Sequence, residues 1–63
     1  MICPYCLQGD ILKVRIIPTA EMIKICDECD TVWKESEIIS DTNGKVLSEK
    51  KFSWRDFDIL EKL

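Results

Sequence analysis

The residues best able to do chemistry in this 63-residue chain are four cysteines, Cys3, Cys6, Cys26 and Cys29. They stand as two Cys-x-x-Cys pairs, Cys3-Pro4-Tyr5-Cys6 and Cys26-Asp27-Glu28-Cys29, with nineteen residues between the pairs. Thiolates are soft ligands and nucleophiles, so such a set can hold a metal, form two disulfides or cycle electrons. The spacing suits a tetrahedral site in which each pair grips the ion from a tight turn and the spacer returns as a hairpin. All four cysteines are therefore the candidate metal ligands. The chain contains no histidine, and a closed set of four sulfurs leaves no position for a catalytic water. The expected cofactor is one structural Zn2+, with iron a less favoured occupant, and no catalytic residue is expected.

Elements must deliver the two pairs to one point. Pro4 pre-sets the first turn, and Gly9 is expected to take a positive φ that returns the chain. From Ile11 to Ile17, Leu12, Val14 and Ile16 alternate with Lys13 and Arg15, the pattern of a half-buried strand. Pro18 and Thr19 break it. A second strand over residues 21–25, with Ile23 and Ile25 opposite in facing to Met22 and Lys24, leads straight into Cys26. Residues 31–39 read as a third strand that buries Val32, Trp33, Ile38 and Ile39. Asn43-Gly44 is a two-residue hairpin signal ahead of a short strand at Val46 and Leu47.

After the charged stretch Glu49-Lys50-Lys51, Ser53 and Asp56 can cap a helix, and Trp54, Phe57, Leu60 and Leu63 recur at helical spacing. The predicted fold is thus a small metal-stabilised β domain: a single unit over 1–63, with ribbon and hairpins over 1–48 and a C-terminal helical tail over 49–63. A helix so short is marginal alone and should dock on the ribbon or on a partner. Deletion of residues 52–63 distinguishes the two.

At this length a hydrophobic core alone is marginal, and a metal bound only by the folded chain would supply the missing stability. Two disulfides could do so too, but no basic, apolar leader precedes Cys3, so a reducing cytoplasm is the expected location. No apolar run approaches the roughly 20 residues of a membrane span. The formal net charge is −3. Four thiolates (−4) and one divalent ion (+2) take it to −5, which favours basic partners and opposes non-specific nucleic-acid binding.

Three resemblances bear on these residues. Cys3-Pro4-Tyr5-Cys6 resembles the active-site motif of glutaredoxins, which there follows a strand and opens a helix; here a strand pattern follows instead. The paired knuckles also resemble those of the iron protein rubredoxin, whose Gly after each second cysteine is replaced by Leu7 and Asp30. Residues 1–35 as a whole resemble the zinc ribbon (zinc β-ribbon) superfamily. The opening, Cys3-Pro4-Tyr5-Cys6-Leu7-Gln8-Gly9, is similar to the zinc-binding domain of YgiT-type bacterial antitoxins. That resemblance implies a zinc module that docks on protein; the DNA-binding domain of those antitoxins has no counterpart in this chain.

The acidic residues Asp27, Glu28, Asp30, Glu35 and Glu37 cluster at and after the second pair and could meet a basic protein surface. The expected function is therefore a non-enzymatic protein-binding module, such as a small bacterial regulator, immunity protein or antitoxin. The alternative is a nucleic-acid-associated zinc ribbon of transcription or translation, using Lys13, Arg15 and Lys24 with Tyr5, Trp33, Trp54 or Phe57 as stacking groups. A third reading is a structural subunit that docks through the Trp54, Phe57, Leu60 and Leu63 stripe. The sequence does not fix the oligomeric state.

Overall fold

The structure is a computed structural model, and it describes residues 1–47 and 51–63. The alternating stretches form strands as their period requires: β1 (Ile11–Ile16), β2 (Glu21–Cys26), β3 (Thr31–Lys34), β4 (Lys45–Val46) and β5 (Phe57–Lys62). All neighbours are antiparallel, in the order β4-β3-β2-β1-β5. β1 and β2 make the expected hairpin around Pro18 and Thr19, with Ile11 opposite Cys26 and Val14 opposite Ile23. Ala20 closes that turn at φ 60°, its amide donating to the Ile16 carbonyl at 2.7 Å.

Because side chains alternate across a sheet, the two faces carry two apolar clusters. One gathers Val14, Ile16, Ile23, Ile25, Val32, Leu47 and Phe57, with Leu12, Phe52 and Trp54 partly buried against it. The other gathers Cys3, Ile11, Cys26 and Trp33, with Cys6, Cys29, Ile39 and Leu63 at its margin. Val32 and Trp33 are adjacent yet both buried, one on each face, because the sheet is covered on both sides at β3.

Three expectations need correction. The third strand ends at Lys34 and not at residue 39; Ile39 reaches the second cluster, but Ile38 is 85% exposed. Asn43-Gly44 does not form a two-residue hairpin turn. Thr31 pairs with Val46 and Val32 with Lys45, so residues 35–44 make one long loop between β3 and β4. Asn43 organises that loop through its side chain, accepting from Trp33 Nε1 at 2.8 Å and donating to the Ile38 carbonyl at 2.7 Å.

The C-terminal helix is absent among the described residues. Ser53 and Asp56 do meet as a cap, the Ser53 amide donating to the Asp56 carboxylate at 3.0 Å, but only one 3-10 turn follows, Trp54–Asp56. The chain then extends as β5 against β1. A three-turn helix is marginal in water, whereas the open edge of β1 offers a row of backbone groups that a strand satisfies at once. Leu60 falls where the register shifts between Lys13 and Val14, so a helical period of three coincides with a bulged strand. The charged stretch begins at Glu49 and Lys50, which lie outside the described residues, as does the expected boundary between ribbon and tail. No helix among the described residues is long and apolar enough to cross a membrane.

Candidate metal centre

Each cysteine pair is held by the backbone of its own turn. The Tyr5 amide donates to Cys3 Sγ and the Gly9 amide to Cys6 Sγ, both at 3.4 Å. The amides of Glu28 and Cys29 donate to Cys26 Sγ, also at 3.4 Å. Such donors favour the thiolate over the thiol and aim it inward. The residue after each second cysteine, Leu7 at φ 58° and Asp30 at φ 59°, sits in the left-handed region. Both knuckles therefore make the same turn, without the glycine that would adopt it most cheaply. Leu7 is 73% exposed and contributes little packing in return. Leu7→Gly is expected to raise stability by about 1 kcal/mol, read as a higher denaturation midpoint at unchanged slope.

Gly9 is required for a different reason from the one its sequence context suggests. It has no positive φ; instead, a β-carbon there would lie 2.6 Å from Cys26 Sγ and 2.8 Å from the Glu28 β-carbon. The first knuckle thus presses its backbone directly on the second. Gly9→Ala is expected to force the knuckles apart and weaken metal retention at least tenfold, measured by competition with a chromophoric chelator. Unchanged affinity would show that the contact yields freely.

The registers of β1 and β2 complete the approach. Asp10 follows the first knuckle and Asp27 opens the second; the Asp27 amide donates to the Asp10 carbonyl at 3.1 Å, and the Asp10 amide to Asp27 Oδ1 at 2.9 Å. All four sulfurs then lie within 4.8 Å of one another. Cys3 Sγ is 3.6 Å from Cys29 Sγ, and Cys6 Sγ is 3.6 Å from Cys26 Sγ. A regular tetrahedron of Zn–S bonds of about 2.3 Å has edges of about 3.8 Å, so the separations suit one four-coordinate ion. They are too long for S–S bonds, and all four cysteines are free.

The four thiols are not equivalent. Burial pushes the Cys26 thiol up to about 12 and raises Cys3 as well. The Gly9 and Gln8 amides pull Cys6 down to about 7. Cys3 and Cys26 are wholly buried, while Cys6 and Cys29 are half-buried. Two buried thiolates are costly without a cation, so the donor set fits a positive ion at its centre.

A neighbouring shell holds the knuckles in place. The indole of Trp33 lies beneath the first knuckle, its ring 5.9 Å from that of Tyr5. The Tyr5 hydroxyl accepts from the Gly44 amide at 3.1 Å, which ties the knuckle to the β3–β4 loop. Thr31 Oγ1 is 3.0 Å from Cys29 Sγ, where its hydroxyl can donate to a thiolate. Sequence reading overlooked Thr31; its place two residues after the last cysteine, on an emerging strand, was the available signal.

The remaining candidate groups are engaged within the fold. Lys13 pairs with Glu35 at 3.3 Å, Arg15 with Asp58 at 2.8 Å, and Lys24 donates to the Glu37 carbonyl at 3.0 Å. Trp33 and Phe57 are buried, and Trp54 packs edge-on against Phe57 while its Nε1 donates to Asp30 at 2.9 Å. Among the five clustered acids, Asp27, Asp30, Glu35 and Glu37 each hold an internal partner.

Fold and site together define a small antiparallel β domain organised around a four-cysteine cluster able to hold a metal ion. The chain matches no protein-family model, no curated protein and no solved structure.

Proposed function

We propose that the chain is a zinc-stapled binding module of the zinc-ribbon kind, non-enzymatic, that engages a protein partner through its negative surface. Four thiolates and no imidazole support a closed structural site, and zinc suits such a tetrahedral set without redox chemistry. When bound, the ion supplies folding energy; the chain's own residues orient the sulfurs and exclude water from Cys3 and Cys26. Elemental analysis of purified protein tests this, with one zinc per chain expected and stoichiometric iron counting against it.

The observation that carries the binding role is the charge balance. The basic residues of the β1–β2 face, Lys13, Arg15 and Lys24, are each held by an acidic side chain or a carbonyl, while the chain as a whole is acidic. That arrangement favours a basic protein surface over a phosphate backbone. It is the character expected of a small bacterial regulator, immunity protein or antitoxin acting in the cytoplasm. Affinity capture from cell extract is expected to recover a basic protein. Recovery of nucleic acid alone, with binding that weakens steeply as salt rises, would instead establish the transcription- or translation-related reading.

A further inference from the structure

We propose that oxidation joins the cysteines across the two knuckles, Cys6 to Cys26 and Cys3 to Cys29, so that disulfides replace the metal as the staple of the same fold. The juxtaposition that carries this is the 3.6 Å approach of Cys6 to Cys26 and of Cys3 to Cys29, each of which links one knuckle to the other. In each pair one sulfur is half-buried and the other fully buried. An oxidant thus reaches Cys6 or Cys29 first, and a resolving sulfur lies 3.6 Å away on the opposite turn.

With hydrogen peroxide as oxidant the steps balance. The Cys6 thiolate attacks one peroxide oxygen; the O–O bond breaks, an S–O bond forms and hydroxide leaves, giving a sulfenic acid. The Cys26 sulfur, losing its proton as it attacks, then displaces the oxygen from the Cys6 sulfur, forming the S–S bond and releasing water. The two sulfurs have together lost two electrons, one peroxide has gained them, and the hydroxide from the first step takes a proton from the buffer. A second equivalent joins Cys29 to Cys3 in the same way.

The choice of pairing decides the consequence. A disulfide within Cys3-Pro4-Tyr5-Cys6 would close a four-residue loop and leave the knuckles unlinked. The crossed pairs span 20 and 26 positions of the chain, and so tie the first knuckle to the second as the metal does. Oxidised protein is therefore expected to release its ion and keep its sheet, whereas chelation without oxidation removes the staple and leaves none.

The test uses purified protein whose metal content is first measured. It is treated with two equivalents of hydrogen peroxide, blocked with iodoacetamide and digested without reductant, cutting after Tyr5 and after Glu28 to separate the cysteines of each knuckle. Linked peptides Cys6–Cys26 and Cys3–Cys29, with native-like amide dispersion in the metal-free oxidised product, are the expected result. Linkage within either knuckle, sulfinic acids without linkage, or crossed linkage with lost dispersion would overturn the proposal. It rests on the metal reading only for the release step. A starting protein without bound metal would sink that reading, while the linkage map would still decide this one.

Discussion

Replacing Cys26 by Ser is expected to unfold most of the domain. Cys26 ends β2, accepts two amide hydrogen bonds and lies wholly buried against Ile11 and Trp33. A serine oxygen is a poor substitute for a soft thiolate, so an ion held as proposed would lose one of its four ligands and the knuckles what joins them. Structural zinc contributes on the order of 10–16 kcal/mol in small finger peptides, while domains of this kind have a net stability of only about 5 kcal/mol. The loss therefore exceeds the margin. Loss of amide chemical-shift dispersion together with loss of bound metal checks this; a folded, metal-free Cys26→Ser protein would contradict it. Excess chelator should act likewise on the unaltered chain, slowly where Cys3 and Cys26 are shielded.

Removal of residues 57–63 should be nearly as severe, even with metal present. Read as a helical tail, this segment is an appendage to the ribbon; as β5 it pairs with β1 from Leu12 to Ile16. Its Phe57 fills the first cluster and Leu63 borders the second, where the Leu63 amide donates to the Ile11 carbonyl at 2.8 Å. The N-terminal ammonium donates to the Leu63 carbonyl, so the last residue also holds the segment that leads into the first knuckle. Loss of Phe57 alone corresponds to about 3 kcal/mol or more, a large share of the stability of so small a domain. The truncated chain is expected to show no cooperative thermal transition by circular dichroism. A sharp transition at the temperature of the full-length protein would mean that β5 is an accessory.

The site was more legible than the fold around it. Two Cys-x-x-Cys pairs on either side of an alternating hairpin leave few ways to place four sulfurs except together. The Ile23 and Ile25 alternation into Cys26 fixed the face on which the second knuckle arrives. Residues 54–63 were not legible in the same way. Trp54, Phe57, Leu60 and Leu63 satisfy a helical period, while Phe57 and Ile59 satisfy a strand period of two. Local pattern does not choose between these readings when a stretch is short.

Sequence by itself determined the four clustered cysteines, the β1–β2 hairpin and the negative charge, because these depend on residue type and on spacing along the chain. Tertiary structure alone decided that the C-terminal segment is a strand, since the open edge of β1 exists only once the hairpin has formed. It also decided the role of Gly9. Nothing local requires glycine there, and the need arises from Cys26 and Glu28, which lie seventeen and nineteen positions further along the chain and within 3 Å of any β-carbon at that place.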